Sequence, residues 1–263
     1  MEKQCTSNKH FVLVHGACHG AWSWYKLVTL LEKEGHKVTA FDLLASGRQP
    51  FGIAKVQSFK HYVQPLMEVM SSLAHKEKVI LVGHSLGGVA ISLAMEAFPE
   101  KIAAAVYVAG IAPGIDFPAS EFFDKFFVRN SVESLLDTQV GFDDGPENPP
   151  TSLWFGSKLI ASRMYQLCPP EDIKLGSMLL RPTKLFLREL ANKSLLTKER
   201  FGSVERVYII CKEDDMLQDL QEWMIEKASI KQVMEIEASD HMPMLCQPQM
   251  LLNCFLDIAF KYV

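Results

Sequence analysis

At 263 residues and 48% apolar content, the chain is long enough for one large domain or two small ones around a substantial core. A formal net charge of −4 excludes a basic footprint for nucleic acid and a polybasic membrane patch. No apolar run approaches the ~20 residues that a membrane span needs.

Six cysteines (Cys5, Cys18, Cys168, Cys211, Cys246 and Cys254) are scattered without CxxC or zinc spacing, so buried free thiols are expected rather than a disulfide framework. The first nine residues hold no apolar stretch of the secretory kind, and a cytoplasmic protein is expected.

The run His10–Val14 predicts a short strand buried on both faces, closed by the small residues of His15-Gly16-Ala17-Cys18-His19-Gly20. A helix is expected from Ala21 to Glu34, with Trp22, Tyr25, Leu27, Leu30 and Leu31 on its apolar side and Gly35 as its stop. A strand at Lys37–Phe41, a turn-rich loop at 42–50 and a helix over about Ser58–Leu73 follow. Next, Val79-Ile80-Leu81-Val82 leads into Gly83-His84-Ser85-Leu86-Gly87 and a helix-forming run to Phe98. Ile102–Ala109 is another buried strand. Strands that alternate with helices need crossover connections, hence a mostly parallel central sheet with helices on both faces.

The rhythm breaks after Pro113. From 114 to 200 the chain is rich in Phe, Trp and Met, and an inserted, mostly helical cap is expected there. Its aromatics, Phe117 to Phe127 and Trp154 among them, are core packing or the wall of a pocket. The alternation resumes with a strand at Arg206–Cys211, a helix at Leu217–Glu226, a strand at Lys231–Ile236 and a last helix at Pro248–Lys261. The core is thus 1–113 and 201–263, and the cap is 114–200.

Gly83-His84-Ser85-Leu86-Gly87 fits Gly-x-Ser-x-Gly between a strand and a helix, the context of a nucleophile elbow. A glycine-rich turn with a surface serine is the plainer alternative. A serine hydroxyl needs a base, and the base needs a carboxylate to fix its tautomer. In α/β-hydrolases these follow the serine in the order acid, histidine, each after a strand. Of eight histidines, only His241 has that order and position. Glu213, Asp214 and Asp215 close the preceding strand, and only one of them can turn inward. Alternation at a strand end puts Glu213 and Asp215 on one side and Asp214 on the other, and Asp214 is chosen. The Leu86 N–H, and an N–H from the loop after the first strand at Ala17, are the expected oxyanion donors.

Several stretches together resemble the plant methylesterase family of α/β-hydrolases. They are Phe11 to Trp22, Gly35 to Ala40, Ala45-Ser46-Gly47, the elbow with Gly88, Leu136 to Gln139, Tyr165 to Cys168 and Asp240-His241-Met242. The resemblance covers His10 to Tyr262. It implies Ser85 as nucleophile, His241 as base, Asp214 as its partner, Ala17 and Leu86 as oxyanion donors, and a homodimer. It implies a small-molecule methyl ester as substrate and no metal or cofactor in the reaction.

The sister hydroxynitrile lyases carry threonine, glutamate and lysine where Gly16, His84 and Met242 stand here, so ester hydrolysis is favoured over the lyase alternative. A small-molecule receptor on a hydrolase scaffold is the other alternative. Leu135 stands where the salicylate-type member has a cap tryptophan, which leaves room for a larger ester. Gly16, His84, Leu135, Trp154 and Met242 are the expected substrate-binding residues.

Overall fold

The computed structural model describes residues 8–131 and 133–262. The apolar runs become one six-stranded sheet: β1 (His10–Val14), β2 (Lys37–Ala40), β3 (Val79–His84), β4 (Ile102–Val108), and, after the insertion that carries β5 to β7, β8 (Arg206–Cys211) and β9 (Gln232–Ile236). All neighbours pair in parallel, in the order β2-β1-β3-β4-β8-β9. Every residue of β1 and β3 is buried, because crossover helices cover both faces. The edge strands β2 and β9 keep exposed positions, and there the apolar runs are less continuous.

The chain starts at β1, steps outward to β2, then returns to β3 on the other side of β1. That reversal opens a crevice beyond the carboxyl ends of β1 and β3, where ligands of such sheets bind. The His15-Gly16-Ala17 loop and Ser85 leave the sheet there.

Three expectations are corrected. Ala21–Trp24 is a 3₁₀ turn before the α-helix Tyr25–Lys33, and the tighter winding changes the phase. Trp24 is therefore fully buried, while Tyr25 is exposed and donates its hydroxyl to Asp172 Oδ1 at 2.8 Å. The expected helix over 58–73 divides into Phe59–Tyr62 and Gln64–Ser72, with Pro65 in the first turn of the second.

The segment between β4 and β8 is not only helical. It carries β5 (Gln139–Gly141), β6 (Ser152–Trp154) and β7 (Thr183–Lys184), an antiparallel sheet with Gln139 opposite Trp154 and Ser152 opposite Lys184. Strands of two or three residues show no periodicity to read; their pairing is tertiary. Of the cysteines, Cys5 lies outside the described residues and the other five are free, four of them buried.

Candidate active site

β3 ends at His84, and Ser85 takes a φ of 52°, the left-handed region that non-glycine residues rarely occupy. Both sides of its peptide are held: the Ser85 N–H donates to the Val108 carbonyl at 3.3 Å, and its carbonyl accepts from Ile111 at 2.9 Å and Gly88 at 3.0 Å. The flanking glycines are needed for space. A Cβ on Gly83 would stand 2.6 Å from the Gly87 oxygen, and one on Gly87 would stand 2.6 Å from the Val14 oxygen. The strand, the turn and the helix Gly87–Ala97 can thus cross only with glycine at both points.

His241 and Asp214 come from the turns after β9 and β8. Nδ1 of His241 lies 2.7 Å from Asp214 Oδ2, with both side chains buried. The other carboxylate oxygen accepts the Met216 and Leu217 N–H groups at 3.0 Å each, so Asp214 is oriented by its own turn. Glu213 is exposed, and Asp215 faces outward in an ion pair with Arg163. The His241 carbonyl accepts a hydrogen bond from His84 Nε2 at 2.8 Å, and the two rings pack at 4.8 Å between centroids. Burial holds His84 well below the ordinary histidine range, so its ring is neutral; among the described residues its Nδ1 has no hydrogen-bond partner.

The loop after β1 is held from several directions. His15 is kept neutral by burial; its Nδ1–H donates to the Gly16 carbonyl at 2.8 Å and its Nε2 accepts from the Leu43 N–H at 3.0 Å. Burial pushes His19 down to about 3. It too is neutral, with Nδ1–H donating to the Ala17 carbonyl at 2.6 Å and Nε2 accepting from the Tyr165 hydroxyl at 2.6 Å. Cys18 is tied to the inserted segment, its N–H donating to Thr183 Oγ1 at 2.7 Å and its carbonyl accepting from Arg181 at 3.0 Å. Among the described residues, neither the Ala17 nor the Leu86 N–H donates to a protein acceptor. Both residues border the cavity that also holds Ser85 and His241. Two free donors at the edge of an apolar cavity are suited to receive an anionic oxygen.

The space around these residues, the solvent opening included, measures about 440 Å³. Beyond Ser85 and His241 its wall is apolar: Ile111, Met216 and Leu217 from the core, and Phe122, Phe123, Phe126, Leu153, Phe155, Met164 and Leu185 from the inserted segment.

Residues 11–251 match the model of the alpha/beta hydrolase family. The chain is similar to salicylic acid-binding protein 2 of Nicotiana tabacum, 51% identical over 97% of this chain and 98% of that protein. Methyl jasmonate esterase 1 of Vitis vinifera is 48% identical over the whole of both chains. Among solved structures, polyneuridine aldehyde esterase superposes with a TM-score of 0.90 at 44% identity, covering 96% of this chain and all of that one. Tomato methylketone synthase I complexed with 2-tridecanone does so with a TM-score of 0.90 at 46% identity, over 97% and 99% of the two chains. The chain belongs to the plant methylesterase family of α/β-hydrolases.

In this methylesterase-family chain Ser85, His241, Ala17 and Leu86 border one cavity, with Asp214 behind His241, but none of the five expected substrate-binding residues lines its wall. Trp154 is 41% exposed and absent from the lining. Side chains alternate along β6, and Leu153 takes the inward position instead. Leu135 is buried in the inserted segment without reaching the cavity. Gly16, His84 and Met242 stand behind the wall. A Cβ on Gly16 would lie 2.8 Å from Ser85 Cβ and 3.0 Å from His84 Nδ1, and the Met242 N–H is engaged by Asp240 Oδ1 at 2.9 Å. Of the expected aromatics, Phe122, Phe123 and Phe126 line the site, whereas Phe117 packs edge-on against Trp223. Ile111, Leu185, Met216 and Leu217 carry no signal in the sequence beyond being apolar near a strand or helix end.

Proposed function

We propose that this protein is a serine carboxylesterase that hydrolyses methyl esters of plant hormones or specialised metabolites, such as salicylate, jasmonate or an indole-alkaloid acid. The observation that carries the reading is His241, bordering the same apolar cavity as the strained Ser85 and backed by the buried Asp214 carboxylate at 2.7 Å. In this reading His241 Nε2 takes the Ser85 proton as Oγ attacks the ester carbonyl, and Asp214 steadies the imidazolium. The oxygen that becomes negative is received by the Ala17 and Leu86 N–H groups. Methanol leaves with the proton from His241, and water then releases the acid from the acyl-enzyme by the same steps in reverse.

The relatives' names carry salicylic acid and methyl jasmonate, which supports esters of that size. Among the described residues the wall holds no Lys, Arg, Asp or Glu, which favours a neutral, largely apolar acyl group. Met242, fully buried, supplies no cation for a departing cyanide, so the lyase alternative has no support. The reading includes segment 114–200 as a cap over 1–113 and 201–263, a homodimer, and a cytoplasmic location in keeping with five free thiols.

The test is a panel of methyl esters (salicylate, jasmonate, indole-acetate and a monoterpene indole alkaloid) assayed for free acid, with Ser85→Ala alongside. Turnover of at least one ester that vanishes in Ser85→Ala is expected. Turnover within tenfold of the parent in that variant would overturn the assignment.

A further inference from the structure

The cysteines have no metal-binding spacing in the sequence, yet the fold gathers two of them around a carboxylate. Cys168 follows the π-type turn Ile160–Met164 of the inserted segment, Cys246 closes the short helix Pro243–Cys246, and Asp240 immediately precedes His241. One ligating atom of each lies within 4.8 Å of the other two. We propose that Cys168, Cys246 and Asp240 bind a thiophilic divalent cation of the zinc kind, at a site outside the hydrolytic machinery.

The spacing suits a tetrahedral ion. Zinc–sulfur and zinc–oxygen bonds of about 2.3 and 2.1 Å put a sulfur and an oxygen ligand ~3.6 Å apart, and two sulfurs ~3.8 Å apart. Cys168 Sγ already stands 3.4 Å from Asp240 Oδ2 and 3.8 Å from Oδ1. The carboxylate is held from behind, Oδ2 by the Leu167 N–H at 2.8 Å and Oδ1 by the Met242 N–H at 2.9 Å. Such outer contacts fix a ligand before the ion arrives. Cys168 and Asp240 are buried and Cys246 is half-buried, so its side gives entry from solvent and room for a water as fourth ligand. The Ser239 hydroxyl, 3.6 Å from Cys246 Sγ, is a further oxygen nearby.

A divalent cation bound here replaces two protons. Each thiol loses its proton to solvent as its sulfur–metal bond forms, no electron is transferred, and the ion leaves the cluster one charge short of neutral. Two protons released per ion make the affinity rise by up to ~100-fold per pH unit. Because the ligands come from the inserted segment and from both sides of the His241 turn, the bound ion fastens these elements together.

Cobalt(II) tests the site, since thiolate ligation gives a near-ultraviolet charge-transfer band that histidine and carboxylate do not. Titration of the full-length, metal-free protein with cobalt chloride should develop that band to one equivalent, with displacement by zinc chloride and a raised melting temperature. Cys246→Ser should roughly halve the band and Cys168→Ser/Cys246→Ser should remove it. No band in the parent protein, whatever the folding of the variants, overturns the proposal. A band of full intensity in Cys246→Ser does so as well, by assigning the metal to other thiols.

Discussion

Asp214→Asn separates the proposed role of this carboxylate from that of its neighbours, and its consequence can be worked atom by atom. Oδ1 receives two backbone N–H groups, from Met216 and Leu217, and Oδ2 receives His241 Nδ1–H. An asparagine must keep its oxygen toward the two N–H donors, because an NH₂ there would face donors only. Its NH₂ therefore lands against His241 Nδ1, which becomes an acceptor. The imidazole proton moves to Nε2, the atom that must take the Ser85 proton, and the base is lost. A triad forced into this tautomer loses ~10⁴ in kcat, about 5.4 kcal/mol at ~1.36 kcal/mol per tenfold.

Folding should change far less, within about 1.5 kcal/mol, since each hydrogen bond is replaced by another. Asp215→Asn is the control. Its half-exposed ion pair with Arg163 contributes only ~0–1 kcal/mol, and the rate should stay within tenfold. Ester hydrolysis measured at saturating p-nitrophenyl acetate, beside melting curves, decides it. If Asp214→Asn kept more than a tenth of the parent rate, or Asp215→Asn were the inactive variant, the assignment of the acid would be wrong.

Two further outcomes follow from the site. Trp154→Ala should leave kcat/KM for a bulky methyl ester within about twofold, whereas Leu153→Trp, which fills the cavity wall, should raise KM for that ester and spare p-nitrophenyl acetate; equal effects would mean that β6 faces the other way in solution. Acid should weaken the fold through its buried histidines. His19 is held down to about 3 in the native state from an ordinary 6.5. The unfolded chain thus binds a proton that the native chain refuses, so this contribution is complete above about 6.5 and is lost as pH falls toward about 3, at up to ~1.4 kcal/mol per pH unit. Urea midpoints should fall less steeply with acid in His19→Asn than in the parent, and parallel slopes would refute the account.

The sheet was legible because its central strands are buried on both faces and so read as unbroken apolar runs. β8 and the last helix have the bounds their residues suggest. Ser85 was legible because close crossing of strand and helix demands glycine at 83 and 87. Asp214 was set apart from Asp215 by alternation and chosen by the family resemblance; its inward aim comes from the turn after β8, where its carboxylate accepts the Met216 and Leu217 N–H groups. The inserted segment resisted because its order is tertiary: Leu153 and Trp154 are equally apolar, and only pairing with β5 and β7 decides which faces inward. The gathering of Cys168, Asp240 and Cys246 was hidden for the same reason, as Cys168 and Asp240 lie 72 positions apart.

The loop after β1 has a consequence for how such enzymes can be recombined. Cys18 is hydrogen-bonded to Thr183 and Arg181, and His19 to Tyr165, so the two residues that follow the Ala17 donor are anchored in the segment that forms the opposite wall of the cavity. The wall that selects a substrate and the loop that would stabilise its reaction are therefore one heritable unit. A chimera that imports residues 114–200 from a relative inherits fitting partners only where the donor also matches at 165, 181 and 183. Elsewhere, a change intended for selectivity will be felt as a loss of rate on every ester, small generic ones included.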